Sequence, residues 1–416
     1  MTNSKSQRLH PAWIAAAVTF FTLAATAGFR AAPSVLLVPL QDAFGWSRSW
    51  ISAAVSVNVL LYGLISPFAA AFMDRFGIRK VVMVALTVIG SGALCTIFIN
   101  SPWQLIALWG VIVGTGTGSM ALVFGATIAN RWFIKRKGIV LGALSAATAA
   151  GQLVFLPGLS WLADNHGWKS VSVVVASGAF IMVPFIFVGL KESPASVGTT
   201  PYGAPDGYEN VPTIKRNAAR EAIDSLKAGI KIKDFRYLFL SFFVCGLSTN
   251  GLVGTHFIAA AHDHGMTQVT AAGLLAMVGI FDVIGTLLSG YLTDKIDPRK
   301  LLFFYYLTRG LSLFLLPAII FQTVHPSTLV FIIFYGLDWV ATVPPTIVLC
   351  RRILGPERGT VIYGWVFTGH QLGAATAALG AAVLRTHFGN YSIAFYISGA
   401  MCVLTSYLVL QIGNGN

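Results

Sequence analysis

Four formally charged side chains stand deep inside long apolar stretches of this 416-residue chain. They are Arg30 in AATAGFRAAPSVLLVP, Asp282 next to Phe281, Arg309, and Asp338 in FYGLDWVATVPPT. An ionisable group at the centre of a membrane helix costs about 2.5–3.5 kcal/mol on insertion scales, so each is a candidate functional residue. The planar guanidinium of Arg30 can grip a carboxylate through two parallel hydrogen bonds. Gly28, Ala31, Ala32 and Pro33 around it are small or helix-distorting and leave room for a ligand. Asp282 and Asp338 can take up and release a proton within the membrane. Two of the four charges are positive and two negative, so the competing reading is that they only pair with one another. Arg309 is read as the structural partner of Asp338, and Pro344-Pro345 must break the helix ladder just beyond that aspartate.

Weaker candidates surround these. His256 and His370-Gln371 titrate near neutral pH, although a lone helical histidine is more often a satisfied hydrogen-bonding group. Neither histidine has a second ligand at i+3 or i+4, so no metal site is expected. Asn58, Tyr62, Asn130 and Gln152 can line a cavity or join helices. Gly114-Thr115-Gly116-Thr117-Gly118 is glycine-rich but apolar on both sides, which suits close helix approach rather than phosphate binding. Motifs for ATP binding, a serine nucleophile elbow, a zinc protease or a dinucleotide fold are absent from the sequence. No enzyme activity and no cofactor are implied.

The elements that position these residues follow from composition. The chain is 56% hydrophobic and 10% charged, against about 25% charged in soluble proteins. Most of its surface cannot face water. The apolar runs are far longer than the roughly ten-residue alternating strands of an outer-membrane barrel, so helices span. Twelve spans are expected, near 12–39, 48–72, 80–100, 103–130, 138–163, 168–190, 235–261, 268–293, 299–321, 327–350, 358–386 and 390–411. The net charge of +13 orients the chain: 23 of its 28 Lys and Arg lie at the N-terminal tail and alternate connections. Only Arg48, Lys169 and Arg385 fall on the opposite side. This asymmetry predicts a multi-pass protein of the cytoplasmic membrane with both termini cytoplasmic, and it needs no nucleic-acid partner. The four cysteines lie in or at the ends of apolar spans with no CxxC pair, so neither a disulfide framework nor a metal site is expected. The first apolar stretch reads as an uncleaved span rather than a signal peptide.

The chain divides into an N-terminal six-helix bundle (1–190), a cytoplasmic linker (191–234) and a C-terminal six-helix bundle (235–416). The linker opens with Pro and Gly and continues as TIKRNAAREAIDSLKAGIKIK, whose apolar residues recur at near-helical spacing. An amphipathic helix on the cytoplasmic face is expected there. The bundles keep one register: Asp74, Arg79 and Lys80 return as Asp294, Arg299 and Lys300, each 220 residues later. The same offset carries Arg30 to Asn250 and Tyr62 to Asp282. Parallel repeats of this kind mark transporters whose substrate site lies between the halves.

The loop Ala70-Ala71-Phe72-Met73-Asp74-Arg75-Phe76-Gly77-Ile78-Arg79-Lys80 and its counterpart Gly290–Lys300 resemble the G-x-x-x-D-R-x-G-R-R signature of the major facilitator superfamily. The first copy departs by Ala70 and the second by Asp297, each standing where the signature has glycine. Within that superfamily, VPLQDAFGWSRSWISAAVS, NRWFIKRKGIVLGALSAATAAGQ and Phe281-Asp282 are similar to the prokaryotic monocarboxylate and oxalate–formate porters. Mammalian relatives place an arginine four residues after this aspartate, where the chain has Thr286. The Gly-Pro pair of drug antiporters is missing around Ala149-Ala150-Gly151-Gln152.

The resemblance implies an all-α membrane protein of twelve transmembrane helices in two pseudo-symmetric six-helix bundles, its cavity lined by spans 1, 4, 7 and 10. It also implies a gating role for Asp74, Arg75, Arg79, Lys80, Asp294, Arg299 and Lys300. The expected activity is alternating-access transport of a small organic anion, a monocarboxylate, by a monomer, with a coupled proton. Substrate contacts are assigned to Arg30, Asn250, Asn58, Tyr62, Gln152, His256 and His370, and the proton to Asp282 or Asp338. An exporter of amphipathic drugs or metabolites is the alternative. A sensor would need an output domain that 191–234 is too short to supply.

Overall fold

The computed structural model describes residues 10–120, 122–205, 208, 218–293, 295–317 and 327–413. It is helical almost throughout. The first half contains α1 (Pro11–Phe44), α2 (Arg48–Phe76), α3 (Ile78–Cys95), α4 (Pro102–Leu105), α5 (Gly114–Gly118), α6 (Leu122–Trp132), α7 (Lys137–Val154), α8 (Leu156–His166) and α9 (Trp168–Gly189). A π-helical stretch, Ile106–Val113, joins α4 to α5 within the fourth expected span. Then come α10 (Ala218–Ile230), α11 (Lys233–Gly246), α12 (Gly254–Asp263), α13 (Gln268–Thr293), α14 (Pro298–Leu315), α15 (Ser327–Asp338), α16 (Val343–Phe388) and α17 (Ser392–Val409). A second π-helical stretch, Leu247–Val253, lies between α11 and α12 in the seventh span. Among the described residues, eight helices are long and apolar enough to cross a membrane. The connection expected near 351–357 is itself helical, so α16 carries the end of span 10 and all of span 11.

The outer surface carries large apolar side chains such as Phe185, Leu287 and Leu404, as a lipid-facing surface must. Small residues set the distances inside. A Cβ at Gly114 would come within 2.9 Å of the Asn58 Cα, and one at Gly118 within 3.0 Å of the Leu61 carbonyl oxygen. The glycine run therefore seats span 4 directly against α2, as close helix packing requires. The expected amphipathic helix is α10. Its Ala222 is buried, and the Ala222 carbonyl accepts the Trp365 indole N–H at 2.8 Å, fastening the linker to the start of span 11.

Proline breaks span 10 where expected. Helix α15 stops at Asp338, residues 339–342 form turns, and α16 begins at Val343 just before Pro344-Pro345. Asp297 caps α14: its carboxylate accepts the Arg299 backbone N–H at 3.0 Å and its side chain pairs with the Arg299 guanidinium at 2.7 Å. The Arg299 side chain thereby holds the Asp297 carboxyl below the usual carboxylate range.

Candidate functional site

A cavity of about 340 Å³ lies between the two halves. Leu23 and Arg30 of α1, Tyr62 and Ser66 of α2, Gly125 of α6 and Thr148 of α7 line it from the first half. Cys245, Thr249 and Asn250 of span 7, Trp339 and Thr342 at the span 10 break, and Tyr363, Phe367, His370 and Gln371 of span 11 line it from the second. Among these residues, Arg30 is the single Lys, Arg, Asp or Glu. Its guanidinium carbon stands 4.3 Å from the centroid of the Tyr62 ring, an aromatic face that orients the cation. Asn250 occupies the π-helical stretch of span 7, a local geometry common at functional sites. His370 stacks on Phe367, with its Nε2 3.4 Å from the Thr249 hydroxyl and its Nδ1 3.3 Å from the Gln371 amide.

The structure thus gathers Arg30, Tyr62, Asn250 and His370 around one cavity. Two other candidates lie elsewhere. Asn58 is buried away from the cavity and donates to the Trp109 carbonyl at 2.8 Å, joining α2 to span 4. His256 is also buried outside the cavity lining. Its Nε2 donates to the Ala378 carbonyl at 2.7 Å, which leaves Nδ1 to accept from the Tyr391 hydroxyl at 3.2 Å. Both nitrogens are committed to helix contacts. Gln152 lies in α7, and its side chain is outside the described set.

The two buried aspartates serve the broken helix. Asp282 Oδ1 accepts the Val340 N–H at 2.9 Å and the Thr286 hydroxyl at 3.0 Å. Arg309 donates from Nε to Asp338 Oδ2 at 2.6 Å and from Nη2 to the Asp338 carbonyl at 2.6 Å. The expected Arg309–Asp338 pair is present, and the same guanidinium also satisfies a carbonyl freed by the break. In a bilayer core, backbone groups released by an interrupted helix need such internal partners.

The bonds that the described loop charges make stay within their own half. Arg131 bonds to Asp74, and Glu192 caps α3 by accepting the Ile78 and Arg79 backbone N–H groups at 2.8 and 3.2 Å. Arg79 and Arg75 lie over Phe187 and Phe76, while Lys80 and Lys300 are exposed. Arg299 donates to the Ile412 carbonyl at 3.0 Å. Asp294 is outside the described residues. Among the described residues, ion pairing between the halves occurs at the opposite end of the bundle. Arg48 at the start of α2 makes a two-pronged pair with Asp263 at the end of α12, and Arg385 of α16 joins at 2.9 Å. In the sequence Arg48 and Arg385 stand out only as topology markers. An arginine next to an apolar span and an aspartate at the end of another is the signal that was there to be paired.

Comparison with known proteins fits this architecture. The sequence pattern described as Major Facilitator Superfamily matches residues 18–378. The chain belongs to the major facilitator superfamily. An MFS-type transporter of Bacillus subtilis, YcxA, is 27% identical over 341 residues, covering 80% of this chain and 78% of that protein. Monocarboxylate transporter 13 of Rattus norvegicus is 23% identical over 406 residues, covering 96% of this chain and 88% of its own. The crystal structure of a D-xylose-proton symporter superposes with a TM-score of 0.75 at 17% identity, covering 96% of this chain and 97% of that one. This superfamily protein is an all-α membrane protein with the major facilitator fold, and eight of its described helices are long and apolar enough to span. It is a transporter and not an enzyme.

Proposed function

We propose that this superfamily member carries a small monocarboxylate with a proton by alternating access. The rocking bodies are 1–190 and 235–416, and the protein is a monomer of the cytoplasmic membrane with both termini inside. The observation that carries the reading is Arg30 on the cavity wall, oriented by Tyr62 and facing a wall of the other half that holds Asn250 and His370. One carboxylate held by Arg30 and by the polar groups of the second half gives each bundle a grip on the ligand. That is what alternating access requires of a central site. The relatives called monocarboxylate transporters support the substrate class. The proton is assigned to Asp282, a buried carboxylate bonded to neutral donors, while Asp338 is neutralised by Arg309.

The test is a thermal-shift and uptake screen of the purified protein against mono-, di- and aromatic carboxylates, with Arg30→Ala alongside. A ligand that binds only the folded state raises its apparent stability with occupancy. Stabilisation by a monocarboxylate that disappears in Arg30→Ala supports the assignment. Unchanged affinity in the variant overturns it, and shifts with hydrophobic amines alone point to an exporter of amphipathic compounds.

A further inference from the structure

A second guanidinium stands one atom behind the cavity wall. Cys245 lines the cavity, and Arg309, although fully buried, does not reach it. Three nitrogens of Arg309 have different partners. Nε and Nη2 bond to the side chain and carbonyl of Asp338, whereas Nη1 donates to the Cys245 sulfur at 3.0 Å. This corner of the guanidinium thus meets a sulfur, where the other two nitrogens meet carboxylate and carbonyl oxygens. The Thr342 hydroxyl, also on the cavity wall, holds the same sulfur from the side at 3.4 Å. The thiol therefore works as a plug, with the cavity on one side and a cationic donor on the other.

We propose that Cys245 sets the charge class of the substrate. By covering Arg309 Nη1 it leaves Arg30 as the one guanidinium among the described lining residues and restricts the site to anions with a single carboxylate. This inference rests on the reading of Arg30 as the carboxylate site. Beside Cys245 a second carboxylate meets the sulfur and the uncharged hydroxyls of Thr342 and Thr249 but no second guanidinium, so its charge is desolvated with only weak compensation. Removing the sulfur exposes Nη1, a charge-assisted donor that matches a carboxylate oxygen. Asp338 keeps Arg309 in place because its two contacts fall on the other nitrogens.

The experiment compares succinate with monomethyl succinate, two ligands of similar length that differ by one carboxylate charge. Both compete with a transported monocarboxylate in wild type, Cys245→Ala and Cys245→Ser. In wild type the monoester competes at least about tenfold better, the size expected for an uncompensated charged group. In Cys245→Ala succinate gains about tenfold over its wild-type value while the monoester is unchanged, because only the second carboxylate reaches Nη1. Cys245→Ser keeps an atom over the guanidinium and retains the wild-type preference. If the alanine variant gains both ligands equally, cavity size and not charge is the cause and the proposal falls. Succinate competing as well as the monoester in wild type overturns it without any variant, and if the alanine variant misfolds, Cys245→Gly, which also removes the sulfur, must show the same selective gain for succinate or the proposal falls. A wild-type protein that takes no carboxylate sinks the parent reading. One that takes monocarboxylates and shows no gain in Cys245→Ala sinks this inference alone.

Discussion

Arg48 reaches Asp263 through two bonds, Nη2 to Oδ1 at 2.7 Å and Nη1 to Oδ2 at 2.8 Å, although the residues belong to different halves of the protein. Around the pair, Arg48 Nε donates to Gln41 at 2.8 Å and Nη1 also donates to the Tyr391 hydroxyl at 3.3 Å. Tyr391 in turn donates to His256, so the buried histidine supports the pair from behind. Removing one partner of a well-packed, mostly buried pair costs about 3–5 kcal/mol in the conformer that contains it. The conformer closed at this end should therefore lose population in Asp263→Asn. Ser49 and Thr386, whose hydroxyls are 3.0 Å apart across the same end, provide the readout. The double variant Ser49→Cys/Thr386→Cys should form a disulfide readily in an otherwise wild-type background. Adding Asp263→Asn should lower its yield several-fold, and an unchanged yield would remove the pair from any gating role.

Tyr62 should tune affinity without touching the anion's charge. Its ring face holds the Arg30 guanidinium at 4.3 Å, an arrangement contributing about 0.5–2 kcal/mol depending on desolvation. Tyr62→Phe keeps the face and should leave substrate affinity within about twofold, whereas Tyr62→Ala should weaken it about tenfold by releasing Arg30. Equal losses in both variants would assign the effect to the Tyr62 hydroxyl instead.

Asp282 separates into two roles that one substitution can tell apart. Asparagine retains an oxygen to accept the Val340 N–H and the Thr286 hydroxyl but cannot carry a proton in exchange for charge. Asp282→Asn should therefore fold, exchange labelled substrate across the membrane, and fail to accumulate it against a gradient when a pH difference is imposed. Asp282→Ala removes the acceptor as well and should cost about 1–3 kcal/mol through the unsatisfied Val340 N–H. Proton-driven accumulation by Asp282→Asn at the wild-type level would exclude this carboxylate as the coupling group.

Much of the fold was legible because membrane helices announce themselves by long apolar runs, by the distribution of Lys and Arg, and here by a repeat register. The 220-residue offset maps Arg30 onto Asn250, and both line one cavity, whereas the same offset maps Tyr62 onto Asp282 and gives no hint that Tyr62 stands beside Arg30. Pairings across the halves were not legible. Arg48 and Asp263 are 215 residues apart and sit at helix ends, where a charge is unremarkable in sequence. His256 resembled a ligand-binding residue, but its Nε2 and Nδ1 have the Ala378 carbonyl and Tyr391 within reach only after spans 7, 11 and 12 pack. Cys245 carried no signal at all, since its neighbour Arg309 comes from a helix 64 residues away.

The cap on α14 gives a pH-dependent prediction. The Arg299 side chain lowers the folded-state proton affinity of Asp297, so the unfolded chain binds the proton more tightly. The cap's contribution is then fully present above the unfolded carboxyl value of about 3.9 and fades as pH falls through the lower folded value. Asp297→Asn should keep the bond to the Arg299 backbone N–H and lose only the charged part, while Asp297→Ala should cost about 0.5–2 kcal/mol at neutral pH. Thermal unfolding in detergent should show the wild-type advantage over Asp297→Asn at pH 7 and its shrinkage on acidification below about pH 4. An advantage that grows on acidification would contradict the pairing.

The Arg309–Asp338 pair should behave as a unit whose halves are worse apart than absent together. Arg309→Leu leaves a carboxylate buried without a counter-ion, and Asp338→Leu leaves a buried guanidinium, each at a cost of about 3–5 kcal/mol. The double variant Arg309→Leu/Asp338→Leu removes both charges and should unfold at a higher temperature than either single variant. Recovery to the wild-type value is not expected, because Arg309 Nη2 also serves the backbone carbonyl of Asp338 at the helix break. That carbonyl would lose its donor in the double variant and in Arg309→Leu, but keep it in Asp338→Leu. The expected order of melting temperatures is therefore wild type, then the double variant, then the two single variants. Strictly additive losses would mean that the two side chains do not interact energetically despite the 2.6 Å contact.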